Sequence, residues 1–312
     1  MPSTITHAYI GLDTLEKLNN DPKNIINNHI NNYKVYCQNM DVLYFYHIFL
    51  LFSNKVQELG HIIHHEKTND FFKLLINDNK ENKNPELFTF IAGLITHYKA
   101  DSIIHPYVNY YGENSSKEKF KTHFDIEAYL DNYFARERMK VDYKRENISK
   151  PVFNYTEEKI IKDEITKLYQ TLYNYPNMGK KYYRSLKEMR FVFNYFRYDK
   201  YGLKIFLYRI LDLNPIKSIQ RVKYLSYHFN LENEDYYLNT NHNRWTNIED
   251  NSFTSNNSFF ELYDKVTNEA SVIINGIYDY VFNDKKIDLD KLIGNYSYAT
   301  GLPLSKRKKL NK

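Results

Sequence analysis

Between residues 96 and 127 the chain reads THYKADSIIHPYVNYYGENSSKEKFKTHFDIE, and five side chains in it can bind a metal: His97, Asp101, His105, His123 and Glu127. His97 and Asp101, Asp101 and His105, and His123 and Glu127 are each four residues apart. An α-helix turns about 100° per residue, so a step of four returns a side chain to nearly the same face. The spacing therefore predicts His97, Asp101 and His105 in a line on one helix, and His123 with Glu127 on the next. Imidazole and carboxylate suit Zn²⁺, at roughly 2.0–2.2 Å. Five such groups on two adjacent helices would hold two metals with a carboxylate shared between them. A single His or Asp on a helix is ordinarily solvated or satisfied within a core, and a lone H-x-x-x-D carries little. Three such pairs in one stretch carry more. Ile95, Ala100, Ile103 and Ile104 surround the face, and polar groups on a buried face need partners.

Those residues need helices to position them. The first row falls on a helix over 86–105, expected to end at His105-Pro106 because the residue before Pro disfavours the α region. A loop over 110–117 would lead to a helix over 118–142 carrying the second row. Upstream, Asp21-Pro22 has the form of a helix start. Asp41 follows a break at Asn39-Met40, either as the cap of an apolar helix over 42–54 or as a metal ligand, and the cap is the simpler reading. His61, His64 and His65 are close together, and one of them on a metal is expected rather than all three. Thr68 is expected to cap a helix over 69–79. Downstream, helices are expected over 156–173, 181–200, 203–230 and 258–282, with a polar, irregular stretch over 231–257 that holds His242 and Trp245. Arg145 to Pro151 is a polar link, dividing a helical metal-site region (1–145) from a helical extension packed on it (146–312) within one continuous domain. Nine of the eleven His lie at or before position 123, which places the chemistry in the first 130 residues and leaves the rest as scaffold, cover or substrate wall.

Composition narrows the class. Nine Gly and eight Pro in 312 residues argue against an all-β sandwich and for an all-α chain. The 31 Tyr accompany much Asn, Lys and Ile, as in an AT-rich genome, and receive no functional weight. The net charge of +5 permits an anionic substrate without demanding nucleic acid. Cys37 is the single cysteine, so there is no disulfide framework and a reducing compartment fits. The N-terminus lacks the pattern of a secretory signal, and the apolar run from Val42 to Phe52 is too short to span a bilayer. The expected location is the cytoplasm. Neither a phosphate-binding glycine loop, nor a CxxC pattern, nor a GxSxG elbow is present.

His7, Asp41, His64, the pair His97 and Asp101, His105, and the pair His123 and Glu127 together resemble, in order, the metal-ligand series of the bacterial zinc-dependent phospholipase C family. The resemblance covers about residues 5–130. The flanking words THAYIG and HPYVNYYG look like a cytoplasmic branch of it, and the later NHNRW is a weaker sign of the same branch. It implies an all-helical bundle with a cluster of two or three zinc ions. Asp41, His64, His97 and Asp101 would hold one zinc. His105, His123 and Glu127 would hold a second, and His7 with the bridging Asp101 a third. His64 is preferred over His61 and His65 because Gly60, His64 and Thr68 fit the branch as G-x3-H-x3-T. The chain departs from the secreted members in lacking an N-terminal Trp, in the shorter step from Asp101 to His105, and in showing no C-terminal β-sandwich.

Clustered zinc ions activate water at neutral pH and neutralise phosphoryl oxygens. The expected function is therefore a zinc-dependent phosphoester hydrolase, phospholipase C-like, in which a metal-activated water attacks a phosphodiester. The resemblance suggests Asp41 as a general base beside that water, with Asp101 at the centre. The expected partner is a phosphoester substrate such as a phospholipid head group. Asp125 and Asp131 are near the ligands in sequence and are candidates to orient them, although Asp125 points away from the 123/127 face. Two other readings fit the same residues: a single-strand nuclease or nucleotidase with a related helical zinc site, and a non-catalytic protein stabilised by a closed metal site. An HD-type phosphohydrolase is disfavoured because the chain has no His-Asp dipeptide.

Overall fold

The helix that carries His97, Asp101 and His105 runs through the middle of the molecule. The computed structural model describes residues 4–50, 54–114, 123–196, 199, 201–212 and 234–306. In chain order the helices are α1 (Thr4–Glu16), α2 (Asn20–Asn28), α3 (Ile30–Tyr36), α4 (Lys55–Ile63), α5 (Thr68–Asn82), α6 (Pro85–Asn114), α7 (His123–Phe134), α8 (Lys159–Tyr173), α9 (Met178–Phe196), α10 (Leu203–Asp212), α11 (Glu234–Leu238), α12 (Phe259–Phe282) and α13 (Leu289–Ile293). The only strands among the described residues are β1 (Trp245–Thr246) and β2 (Thr254–Ser255), an antiparallel pair. The all-α expectation holds.

Helix α6 is buried on every side through its first half, with Leu87, Phe88, Thr89, Phe90, Ile91, Ala92, Leu94 and Ile95 all buried. A helix of that kind must be enclosed by others. The long α12, α3, α7 and α1 surround it, and α5 and α8 complete the packing. Helix α3 crosses it at Gly93. A Cβ there would lie 2.5 Å from Tyr36 Cβ and 3.1 Å from the Cys37 backbone nitrogen, so only glycine admits this approach. His97 stands one turn further along α6, beside the end of α3.

Several local expectations are corrected. Helix α6 does not stop at His105 but runs through Pro106 to Asn114. Pro106 cannot donate to the carbonyl of Ser102. The C-terminal segment approaches that carbonyl at Gly301 so closely that a Cβ there would collide with it, and Gly301 has φ +65°, a conformation that favours glycine. The break in the hydrogen-bond ladder thus coincides with the point where another segment docks.

No helix spans 42–54. Residues Asn39–Phe45 form 3₁₀ turns, His47 adopts φ +54°, and α4 starts only at Lys55. Its start is set by a capping box in which Asn54 accepts from the Gln57 amide and the Gln57 side chain accepts from the Asn54 amide. Thr68 opens α5 itself, after a left-handed Lys67, and its hydroxyl makes no capping bond. Asp21 lies inside the first turn of α2, where its charge complements the helix dipole, while Asn19 occupies the cap position. The stretch 231–257 includes α11 and the β1–β2 hairpin. Helix α7 ends in a π turn over Ala135–Met139 rather than continuing to 142. Of the helix expected over 203–230, α10 forms the first part, and the remainder lies outside the described residues, as do 115–117 of the expected loop and 118–122 at the start of the next expected helix.

Candidate metal centre

Four segments converge on Asp101. Helix α6 presents His97, Asp101 and His105 on one face, as the four-residue steps require. Helix α1 brings His7, the end of α4 brings His64, and the 3₁₀ turns bring Asp41. Asp41, His64, His97 and Asp101 are all buried and offer one ligand atom each within 4.8 Å of one another. His64 Nε2 lies 2.8 Å from Asp41 Oδ1, and His97 Nε2 lies 3.0 Å from Asp101 Oδ2 and 3.6 Å from Asp41 Oδ2. Donor atoms on a zinc with bonds of roughly 2.0–2.2 Å would be separated by about 3.4 Å if tetrahedral, so these separations fit the ion.

Asp101 uses both carboxylate oxygens. Its Oδ2 faces His97, while its Oδ1 faces His7 Nε2 at 3.4 Å and His105 Nε2 at 3.5 Å. Glu127, on α7, places Oε1 3.4 Å from His105 Nε2. His7 also stacks on His97 with ring centroids 4.3 Å apart. His123 opens α7 one turn before Glu127, and its side chain lies outside the described residues. His61 and His65 pack edge to face against each other, and neither belongs to the four-residue set.

The rings are oriented from behind by backbone carbonyls. His64 Nδ1 donates to Gly60 O at 2.6 Å, His97 Nδ1 to Cys37 O at 2.9 Å, and His105 Nδ1 to Tyr298 O at 2.9 Å. A carbonyl can only accept, so each Nδ1 carries the proton, and in the neutral ring Nε2 is left as a lone pair aimed inward. This is the arrangement that metal-bound histidines use. Buried polar atoms without hydrogen-bond partners mark the same spot: His64 Nε2, His97 Nε2, Asp41 Oδ1 and His7 Nδ1. An unpaired buried polar atom costs roughly 1–3 kcal/mol, and a metal would satisfy the inward-facing ones. The donor set therefore fits zinc.

Electrostatics agree. For Asp41, burial alone would raise the carboxyl pKa, but the His97 and His64 imidazoles outweigh it and the net shift is downward. Asp101 is likewise opposed by burial and pulled well below the usual carboxylate range by His105 and His97. Burial would lower His105, yet Asp101 and Glu127 hold it up at about 9. His7 goes the other way, to about 4, because burial and the neighbouring His97 outweigh the carboxylates. Burial opposes charge on His97 as well, but Asp101 and Asp41 outweigh it and the net shift is upward. Metal binding would compete with the proton on His105.

Residues 6–191 match the family described as zinc-dependent phospholipase C. The chain belongs to that family. The match takes in every residue of the cluster and more than half of the chain. No curated protein and no solved structure matches it. The family and the buried Asp/His/His/Asp set together support a zinc phosphoesterase.

Some residues that build the site in this phospholipase C family member were not foreseen. Tyr298 is fully buried, sets its ring against His64 at 4.8 Å, donates its amide to His64 O at 3.3 Å, and accepts from His105 through its carbonyl. Asn39 donates to its hydroxyl at 3.4 Å, and Asn109 on α6 donates to Ala299 O at 2.7 Å. The C-terminal segment therefore braces two of the candidate histidines, a scaffold role for the second half of the chain, while the candidate ligands themselves lie in the first 130 residues. No motif marks Tyr298 in the sequence. Asp131, a candidate to orient a ligand ring, is seen to brace the helix that carries one. Its Oδ1 accepts from the Ile5 and Thr6 amides and the Thr6 hydroxyl, at 2.9 to 3.0 Å, capping α1 and thereby fixing His7. Asp41 contributes no helix cap of its own and lies within the cluster.

Proposed function

We propose that the protein is a zinc-dependent phosphodiesterase that cleaves a phospholipid-like ester. The observation that carries this reading is the central Asp101, with its two oxygens directed at imidazoles of different segments. Asp41, His64, His97 and Asp101 would hold one zinc, His105, His123 and Glu127 a second, and His7 with Asp101 a third. When bound, the zinc ions supply Lewis acidity toward the phosphoryl oxygens and an activated water.

The chain's own groups do the rest. Asp41, whose oxygens face His64 Nε2 at 2.8 Å and His97 Nε2 at 3.6 Å, would serve as the general base toward an attacking water. The carbonyls of Gly60, Cys37 and Tyr298 keep the three rings in one tautomer and one orientation. A cavity of about 20 Å³ borders His7, Asp101, His105 and Glu127. That is room for about one water molecule, which favours an open coordination position over a closed structural site.

The depth of the cluster, with His97 fully buried, supports a second reading, a metal-stabilised protein without catalysis. Zinc-replete protein offered phosphocholine esters, generic phosphodiesters and single-stranded DNA separates the possibilities. Cleavage of a phosphocholine ester, abolished in Asp101→Ala, is the expected result. Cleavage of DNA alone would move the assignment to a nuclease, and no cleavage of any substrate by a fully zinc-loaded chain would leave only the structural role.

A further inference from the structure

Beyond the candidate metal centre, the described residues carry an extended apolar surface. Nine of the fourteen large hydrophobic side chains that are exposed among the described residues fall in three neighbouring segments: Phe49 and Leu50, Phe191 and Tyr195 on α9, and Tyr201 through Ile210 at α10. The first two segments touch, and the start of α10 adjoins them. Phe49 and Phe191 meet edge to face at 5.8 Å, Phe191 and Tyr195 pack at 4.5 Å, and the Lys204 ammonium reaches the Tyr195 carbonyl.

Helix α10 shows the inversion most plainly. Leu203, Phe206, Leu207 and Ile210 recur at i, i+3, i+4 and i+7, the spacing of a stripe made to be buried, yet they are 73%, 69%, 52% and 49% exposed. The helix is fastened to the body from its other end. Asp199 is buried, bonds through its amide to Lys144 O, and accepts the Leu203 and Lys204 amides on its carboxylate. A contiguous apolar patch of this kind marks an interaction surface.

Charge identifies the partner. Residues 178–212 contain nine Lys or Arg against three Asp or Glu, a local net charge of +6, which exceeds the +5 of the whole chain. Along α9, Lys180, Arg184 and Lys187 share the outward stripe with Phe191 and Tyr195, and all five are exposed. Arg184 and Lys187 pair with Glu188 and Glu157, surface contacts that are weak in water. Aliphatic and aromatic tips beside a basic belt are the composition of helices that lie in a lipid headgroup layer, where each Lys or Arg adds attraction to anionic lipid. Among the described residues no helix is long and apolar enough to cross a membrane.

We infer that the face formed by Phe49, Phe191, Tyr195 and the outer stripe of α10 docks this protein onto an anionic lipid surface. The segment that supplies Asp41 to the metal cluster continues through Phe45 into Phe49 and Leu50, so one stretch of chain joins the docking face to the site. The inference extends the proposed phospholipid reading by placing the substrate in a bilayer, but it stands on this surface alone, and the test reads binding apart from cleavage.

The test is co-sedimentation of the full chain with vesicles of equal parts phosphatidylglycerol and phosphatidylcholine, and with vesicles of phosphatidylcholine alone. Binding to the anionic vesicles is expected, weakening with salt. Phe206→Ser, Leu207→Ser and Ile210→Ser together should remove it while the melting curve and hydrolysis of a soluble phosphodiester stay unchanged. Arg184→Glu with Lys187→Glu should weaken binding by at least about fivefold for each charge removed. Asp101→Asn should bind as well as wild type even though it cleaves nothing. Failure of the wild type to bind, or undiminished binding by the triple variant, overturns the inference. So does a wild-type dimer that the triple variant converts to monomer without any vesicle binding, which would make the face a contact between two copies of this chain. Binding without hydrolysis of any substrate leaves the docking face standing and removes the catalytic reading.

Discussion

The metal cluster and the α9–α10 face are opposite departures from the ordinary rule of burial. At the cluster, two carboxylates and two imidazoles are sunk to within a few per cent of full burial, where unpaired charge is expensive. On α10, four large apolar side chains stand in solvent at the spacing that would ordinarily seat them in a core. Each arrangement is costly in the isolated chain and becomes favourable once a partner arrives. The cluster answers to a small cation, which must be held by atoms placed to within tenths of an ångström, so it is braced by carbonyls, a helix cap and a tight helix crossing. The outer face answers to a surface, which needs only area and charge, and among the described residues its helix is fastened at its base. Rigidity follows from the size of what is bound.

The largest expected effect tests the braced region. Asp101→Ala removes the carboxylate that faces three imidazoles. Zinc per chain, measured by plasma mass spectrometry on natively purified protein, should fall sharply, and phosphodiesterase activity should drop beyond the roughly 10–100-fold that outer-shell changes produce. An unchanged zinc content would sink the assignment of Asp101 as a shared ligand.

Chelation should come next. Stripping the metal leaves His64 Nε2, His97 Nε2 and Asp41 Oδ1 buried without partners, so the melting temperature should fall by several degrees and return on adding zinc, as linkage requires. A melting curve indifferent to chelator would show that the cluster satisfies itself.

Gly301→Ala places a methyl against the Ser102 carbonyl at a positive φ. A destabilisation of about 1–3 kcal/mol is expected from overpacking and backbone strain, read from the urea midpoint. Because the displaced segment carries the Tyr298 carbonyl that orients His105, zinc affinity should fall as well. Loss of stability without loss of affinity would separate the C-terminal segment from the site.

The smallest effect belongs to the outer face. Phe206→Ser in the free protein should change stability by less than about 0.5 kcal/mol, the usual range for exposed positions. A loss of a kilocalorie or more would mean that the chain itself covers this residue, and the contrast between the two regions would collapse.

Much of the first region was legible in the linear chain. The steps from His97 to Asp101 to His105 needed only helical periodicity to become one face, and the fold brings His64, the member of its three-histidine group that the resemblance favoured, beside Asp41, His97 and Asp101. Asp41 was harder to read, since a carboxylate after a break is a helix cap more often than a ligand. The fold decided it by replacing the expected helix with 3₁₀ turns that carry Asp41 inward. Pro106 misled for a related reason. Its local preference is to end a helix, but the docking of the segment at Gly301 against the freed Ser102 carbonyl lets α6 continue.

What the sequence determined by itself was therefore the helical class, the chemistry of the ligands and the two rows that carry most of them, because these depend on residue type and on spacings of three or four. Only the tertiary structure decided that Tyr298 holds two of the histidines from far downstream, that Asp131 caps the helix bearing His7, and that the apolar stripe of α10 points outward. Each of these depends on which segments meet in space, and an isolated stripe or a lone tyrosine reads the same along the chain whichever way it finally faces.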